Sequence, residues 1–596
     1  MPNDQLFQSA YLNFQRGQTD VAAAECNALL AAHPRHLNGL QLLAHLRFAA
    51  GAFADAANLL QRAAMIQPEN PIILSNLGAA CCAAGRFAEA IEPLRVATQL
   101  NPTQFDAWKN LGRSLRQTNR ANEADVAYRN AISLNPQDAD ALDELAGVYR
   151  DLNKLDDAIA MLRRAVEARP QFPEALNNLA AALQEAGRLE ESIQFYRMAL
   201  AARPDPRIHG NLIMALHLVD DDQMLVAQEI ARWKTLHAEP LKRQSEFAND
   251  RSPDRRLRVG YVSRDFNISP VGRFIAPILA HHDHQLFEVF AYADTQADDR
   301  LVRRNKSAVD HWRPTLPMSD DNLAKQIRDD RIDVLIDLGM HTKLSRVLVF
   351  ARRAAPVQVS YLAYAGTTGL DEIDADISDV FLNPGGIANV QSFWCYEAPV
   401  EASDVEERSG PITFGCLNNF SKVTAETRSA WFEILNRVPE ARLIVHAPTG
   451  SHREDFGIHA SRIQFVDRLS PTEYFALYKS IDIALDTFPY PGGTTTCDAL
   501  WMGTPVVTTT GSTPVSRAGL SILSNIGLSE LVGKDRKAYI ELAVNLARDR
   551  NKRALLQQSL RDRMRASPLM DALRAARDIE AVYRRFWRKW IEGSRR

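Results

Sequence analysis

The sequence predicts two architectures in one chain: an all-helical repeat array in the first third and doubly wound α/β structure in the rest. Three observations carry this. Pro34, Pro68, Pro102, Pro136, Pro170 and Pro204 recur at an unbroken interval of 34 residues. Past residue 250, short β-branched runs such as Leu257–Ser263 (LRVGYVS) and Ile332–Leu338 (IDVLIDL) alternate with helical patterns. The same rhythm starts again at Ile412–Asn418 (ITFGCLN). At 596 residues the chain is also too long for one core, so two to four domains are expected.

Composition narrows the class. Hydrophobic residues make up 46% and charged residues 24%, as in a folded, solvated protein, and a net charge of -3 gives no global footprint for nucleic acid. Six scattered cysteines without a Cys-x-x-Cys pair suit a reducing compartment. The first residues show no basic segment leading into an apolar one, and no run of about 18 apolar residues occurs. The expectation is a cytoplasmic protein with no membrane span and no nucleic-acid partner.

The repeats come first, over residues 1–215 in six units. Gly17, Gly51, Gly85, Asn119, Asn153 and Gly187 form a second column, and Ala22, Ala56, Ala90, Ala124, Ala158 and Ser192 a third. Gly or Asn accepts the left-handed conformation that ends one helix, small residues permit close helix contact, and Pro stops the second helix. Leu77, Leu111, Leu145 and Leu179 recur in register and supply the inward face. A 34-residue helical hairpin with these columns resembles the tetratricopeptide repeat. Asn76, Asn110 and Asn178 share one helix position, interrupted by Glu144. They are either solvated amides or a row able to hydrogen-bond an extended peptide backbone. Residues 216–255 follow as a linker with one amphipathic helix and a polar turn-rich end.

The α/β region divides into residues 256–405 and 406–568. In the first half Phe287–Ala293 and Val357–Tyr364 join the two strands already named. In the second, Ala441–Ala447, Ile463–Asp467, Ile481–Thr487 and Pro505–Gly511 continue the pattern. Buried parallel strands between helices, twice over, imply a cleft with ligands at the carboxyl ends of the strands. No GxGxxG motif is present, which argues against a dinucleotide. Phe488–Trp501 reads FPYPGGTTTCDALW: a glycine-rich loop and three threonines directly before a helix. Such a stretch is either a capped turn or a phosphate cradle. The last segment, residues 569–596, is helical, basic and aromatic. The spacing of Tyr583, Phe586, Trp587 and Trp590 favours packing over membrane-surface binding.

Taken together, the repeats and the motifs RVGYVSRDF, DLGMHTK, RRAAPVQVSYLAYAGTTG, FGCLNNFSKV and PYPGGTTTCDALWMGTPVVT resemble the O-GlcNAc transferase and SPINDLY family of protein glycosyltransferases. The resemblance implies a GT-B fold of two Rossmann-like lobes, a nucleotide sugar in the cleft, a Ser or Thr acceptor and no metal or other cofactor. Carried onto these motifs, Lys422 faces the donor pyrophosphate. Thr494 and Thr495 bind phosphate, with Gly493 and Asn419 of the same motifs at the donor, and Asp498 is the nucleotide-side carboxylate. His341 is the candidate base, with Asp337 placed to set its tautomer. Gln358 and Tyr364 line the donor, Phe475 stacks on its base, and Asn76, Asn110 and Asn178 hold the protein substrate.

Departures from the family pattern shape the finer expectation. Ser269 stands where relatives carry a histidine, Arg273 follows it, and Ala363 and Ala365 replace a Gly and a Pro beside the sugar. Thr472 and Phe475 stand where animal relatives place a lysine and a histidine at the nucleoside. A reshaped sugar pocket with an arginine suits a donor bearing a carboxylate. The favoured expectation is therefore inverting transfer of a nonulosonic acid from its CMP donor to bacterial flagellin held by the repeats. The competing readings are UDP-GlcNAc transfer to other proteins, a binding module with a degenerate transferase domain, and a repeat scaffold alone.

Overall fold

The computed structural model describes residues 2–219, 221–243, 246–402 and 410–593. Its contacts divide it into two compact units, Met1–Ala182 and Leu183–Arg596.

The first unit is built of helical hairpins, beginning with Pro2–Gln15 and Thr19–Ala32 and continuing through Ala139–Asp151 and Leu155–Ala168. The punctuation expected from the sequence is visible in the backbone. Gly17, Gly51 and Gly85 have φ of 74°, 77° and 73°, while Asn119 and Asn153 adopt 59° and 57°. The alanine column is buried where hairpins cross, and Gly78 shows how close that crossing is: a Cβ there would lie 2.2 Å from Leu94 Cγ. In the asparagine column Asn76 is exposed and Asn110 half-buried, whereas Asn178 Nδ2 donates to Asp143 Oδ1 at 2.8 Å. Glu144 is engaged by Arg113 and by the Tyr128 hydroxyl. Of the expected row, two amides keep free side chains among the described residues and the third serves its neighbour.

The second unit opens with the helices Leu189–Ala202, Pro206–Val219 and Gln223–Trp233 and then forms two parallel sheets. The first contains β1 (Leu257–Ser263), β2 (Phe287–Ala293), β3 (His311–Pro314), β4 (Val334–Asp337), β5 (Val357–Ser360) and β6 (Ala375–Asp376), in the order β3-β2-β1-β4-β5-β6. A two-stranded ribbon, β7 (Ser378–Asp379) and β8 (Asn389–Val390), follows. The second large sheet contains β9 (Thr413–Cys416), β10 (Arg442–His446), β11 (Ile463–Val466), β12 (Ile483–Leu485), β13 (Val506–Thr509) and β14 (Val532–Gly533), ordered β11-β10-β9-β12-β13-β14.

Both sheets reverse direction of growth at one point, between β1 and β4 and between β9 and β12. A ligand crevice opens there, outside the carboxyl ends of the strands. In these sheets that places the segments after Ser263, Asp337, Cys416 and Leu485 around the crevices. β3, β6 and β14 were not expected. His311–Pro314 (HWRP) is a half-buried edge strand whose one large apolar residue, Trp312, stands among polar neighbours, so no apolar run marks it.

The last helix, Ala572–Gly593, lies on the first sheet's lobe, with Tyr583 and Trp587 fully buried. The Tyr261 hydroxyl contacts His282 Nε2 at 2.7 Å and the Tyr583 hydroxyl at 2.9 Å, while His282 Nδ1 meets Glu580 Oε1 at 2.9 Å. Its aromatic face is core. Among the described residues no helix is long and apolar enough to cross a membrane.

Candidate functional site

The site grows from the crevice of the second sheet. After β12 the chain reaches Asp486, a buried carboxylate that sequence reasoning did not single out. Its Oδ1 accepts the N–H groups of Thr487 (2.9 Å) and Gly492 (2.7 Å) and the Asn418 amide (2.9 Å), and its Oδ2 accepts the Thr508 hydroxyl (3.0 Å). One anion thus folds the glycine-rich loop back onto the end of β9. The fit leaves no room for a side chain: a Cβ on Gly492 would lie 2.5 Å from Thr495 Oγ1 and 2.8 Å from Asn418 Oδ1. Asn418 closes the set by accepting the Thr495 hydroxyl.

The helix Thr494–Trp501 starts at Gly493 with no side-chain cap, so its first N–H groups remain available to an anion. Lys422, at the end of the short turn Phe420–Lys422, points into the same space. Its Nζ donates to the Pro491 carbonyl at 2.9 Å and sits 4.1 Å from the Tyr490 ring centroid. Burial lowers its pKa from 10.5 to about 8, against the opposing pull of Asp486. A group so placed gains from any anion that enters. These residues line a cavity of about 310 Å³ together with Asn419, Ala363, Tyr364, Ala365 and Trp394. The structure therefore brings Lys422, Asn419, Gly493, Thr494, Thr495 and Tyr364 together. The Asn419 side chain is itself used, accepting the Ser421 N–H at 3.1 Å.

Asp498 and Arg273 meet each other instead of waiting for ligand. Arg273 donates to both oxygens of Asp498, at 3.1 and 2.6 Å, and Tyr396 and Tyr474 add hydroxyls at 2.7 and 3.3 Å. Burial opposes the guanidinium's charge, but Asp498 outweighs it and the pKa is raised. The expectation that Arg273 is free for a sugar carboxylate is corrected: the fork is already filled, across the two lobes. Arg273 also borders a larger cavity of about 800 Å³, where Phe475, Tyr474, Leu417, His446 and Arg468 lie, so Phe475 does line a ligand-sized space. Ser269 caps the helix Pro270–Leu279 by accepting the Gly272 N–H at 3.0 Å.

Three further expectations are corrected. His341 is not at the Lys422 cavity. It lies under Trp233, with ring centroids 4.6 Å apart, and lines a separate cavity of about 450 Å³ with Arg346. Its Nε2–H donates to the Thr368 carbonyl at 2.9 Å, which leaves Nδ1 as a buried, unpartnered lone pair. Burial lowers its pKa to about 4, which makes it a weak base. Asp337 does not set that tautomer. Its Oδ1 accepts the N–H groups of Gly339 (2.8 Å) and Met340 (3.1 Å), shaping the turn after β4, and burial raises its pKa to about 6. Gln358, within β5, is fully buried, its side chain bonded to Ala354 N and to the carbonyls of Phe350 and Glu372, each at 2.9 Å. A residue so committed to backbone cannot face a donor.

Comparison with known proteins agrees with this geometry. Residues 188–393 and 406–579 match the family model described as Glycosyl transferase family 41, and residues 6–232 match that of the Cilia and flagella-associated protein 70 C-terminal domain. The chain is 33% identical over 414 residues to a probable UDP-N-acetylglucosamine–peptide N-acetylglucosaminyltransferase SPINDLY of Petunia hybrida, covering 64% of this chain and 44% of that protein. A probable SEC transferase of Arabidopsis thaliana is 30% identical over 384 residues, which cover 59% of this chain and 39% of that protein. The chain thus spans less than half the length of the curated relatives it matches. A solved mutant O-GlcNAc transferase from Thermobaculum terrenum superposes with a TM-score of 0.76 at 32% identity, over 82% of this chain and 98% of that one. A family model that matches most of both lobes, and a solved relative of the same repeat-plus-two-lobe architecture, make this chain a member of glycosyl transferase family 41, the O-GlcNAc transferase and SPINDLY family.

Proposed function

We propose that the chain is an inverting protein O-glycosyltransferase, with a nucleotide sugar in the crevice of the second lobe and a Ser or Thr of a repeat-bound protein as acceptor. One observation carries the reading. A lysine whose pKa burial lowers to about 8, an uncapped helix N-terminus and two threonines converge on one cavity at a topological switch point. In the reaction the acceptor oxygen forms a bond to the anomeric carbon as the bond from that carbon to the phosphate oxygen breaks, and the hydroxyl proton passes to a phosphate oxygen of the donor or to solvent water. The negative charge that collects on the departing nucleotide falls to Lys422 and the N–H groups after Gly493, the part a divalent cation would otherwise take. None of the residues lining this cavity is a carboxylate or an imidazole. The proposal therefore rests on charge stabilisation of the leaving group, and His341 is not offered as its base.

For the donor, two readings have separate support. The names of the relatives favour UDP-GlcNAc. Ala363 and Ala365 at the cavity wall, one larger and one smaller than the Gly and Pro of relatives, favour a sugar of different shape, and our finer proposal remains a CMP-linked nonulosonic acid with flagellin as acceptor. The carboxylate of such a donor meets Arg273 only by displacing Asp498. Calorimetric titration with each donor, on the wild-type chain and on Lys422→Ala, decides between them. Binding of one donor that Lys422→Ala abolishes supports the reading and names the donor, whereas binding of neither sinks it. Mass spectrometry of flagellin incubated with the chain and the bound donor then tests the acceptor.

A further inference from the structure

Between the last repeat helix and the lobes, one carboxylate reaches across to the second lobe. Asp221, two residues beyond the helix Pro206–Val219, accepts the N–H groups of Ser512 and Thr513 and the Thr513 hydroxyl, the latter two at 3.1 and 3.0 Å. Its carbonyl in turn accepts the Ser512 hydroxyl at 2.6 Å. The loop is built around this group: a Cβ on Gly511 would lie 2.3 Å from Asp221 Oδ2. Burial works against the charge, but the polar groups around it, the N–H groups of Ser512 and Thr513 among them, prevail, and the carboxyl is held below its ordinary range.

The loop it grips follows β13 and carries Val515. Val515 packs with Met340 and Tyr364, and both Val515 and Tyr364 line the Lys422 cavity. The helix that leads to Asp221 reaches the same wall from behind, because Met214 packs on that cluster and the His217 ring lies 5.4 Å from the Tyr364 ring. The loop has its own internal closure, in which Ser516 Oγ donates to the Thr513 carbonyl at 2.8 Å. That closure shapes the loop but does not tie it to anything. The tie is Asp221.

We propose that Asp221 is a positioning residue for the donor cavity: it clamps the Gly511–Ser516 loop so that Val515 closes the wall against Tyr364, and it links the segment after the repeats to donor occupancy. This rests on the reading of that cavity as a nucleotide-sugar site. Freed of the clamp, the loop samples open positions, and a donor that needs the closed wall binds only the closed fraction.

The test compares the full-length wild type with Asp221→Asn, which keeps the shape but turns an amide toward N–H donors. The milder Ser512→Ala removes only the bond to the Asp221 carbonyl and guards against a failure of the first variant to fold. Backbone hydrogen exchange over residues 510–518 is read without ligand. Affinity for UDP-GlcNAc and for a CMP-linked nonulosonic acid is read by calorimetry beside Lys422→Ala. The expected result is faster exchange in this loop and about tenfold weaker binding of whichever donor the wild type takes, for Asp221→Asn, with a smaller change in the same direction for Ser512→Ala. Unchanged exchange overturns the clamp, and faster exchange with unchanged affinity overturns its role at the cavity. If the wild type binds neither donor, the reading of the cavity falls and the positioning role falls with it, a failure recognised because Lys422→Ala then has nothing to abolish.

Discussion

Raising the pH removes the charge on Lys422 while leaving its surroundings intact, and the structure says where this happens. Burial brings the lysine from 10.5 to about 8. At about 1.4 kcal/mol per unit, holding the ammonium in the empty site costs about 3 kcal/mol. The folded-state pKa lies below the unfolded one, so the unfolded chain binds more protons between about pH 8 and 10.5. Stability therefore rises across that window, and the cost is fully present below it. Lys422→Met removes the ionisable group. It should exceed the wild type in stability by up to about 3 kcal/mol at pH 7, with the two converging above about pH 10. A bound phosphate restores the charged state. At pH 9 only about one empty molecule in eleven carries the ammonium, so donor binding should take up about 0.9 proton and be about tenfold weaker than at pH 7. Calorimetry in two buffers of different ionisation enthalpy measures that uptake directly. Uptake near zero at pH 9 in the wild type, or equal uptake in Lys422→Met, would refute the argument that this ammonium meets the phosphate.

Other perturbations test the corrected residues. Arg273→Ala strands the buried Asp498 carboxylate, so urea unfolding should show a loss of about 3–5 kcal/mol, partly recovered by adding Asp498→Asn. No recovery would mean that the pair does not carry the loss. Gln358→Ala strands the buried Ala354 N–H and takes one donor from the Phe350 and Glu372 carbonyls, which keep the Arg353 N–H and guanidinium, and should cost roughly 1–3 kcal/mol while donor affinity stays constant; weakened donor binding would return Gln358 to the site. Glu580 accepts from His282, the Asp283 N–H and Arg577, and these partners outweigh burial to lower its pKa. Its contribution is thus present above the ordinary value of 4.5 and lost as the pH falls through the lower folded value. Glu580→Gln should flatten that part of the acid profile and speed hydrogen exchange along Ala572–Gly593, and an unaltered helix would count against the network's role.

The repeat array was legible because its period is enforced by backbone chemistry. A residue at φ near 75°, such as Gly51, is selected whatever packs nearby, so the column survives in composition. The lobes were legible where strands are buried on both faces, as in Val334–Asp337. They were not legible at the edges, where β3 and the two-residue β6 and β14 owe their pairing to neighbours.

The site divides along the same physical line. Lys422, Gly493 and the threonines act through charge and exposed backbone, properties that stay with a residue type wherever a loop carries it. Asp498, Arg273, His341 and Gln358 act through whichever group stands opposite, and an opposite group lies 225 residues away for the Arg273–Asp498 pair. No local pattern announces such a partner. Asp486 shows what the missing signal would have looked like. It ends an apolar strand, IDIALD, and precedes a loop whose Thr487 and Gly492 N–H groups it collects. A buried acid in that position has to satisfy four acceptor sites, and the glycine loop is the nearest supply. The shape of the glycine-rich loop is thus set from inside by one carboxylate, and the Lys422 ammonium is held there by the Pro491 carbonyl, with donor sites to spare for the anion we propose.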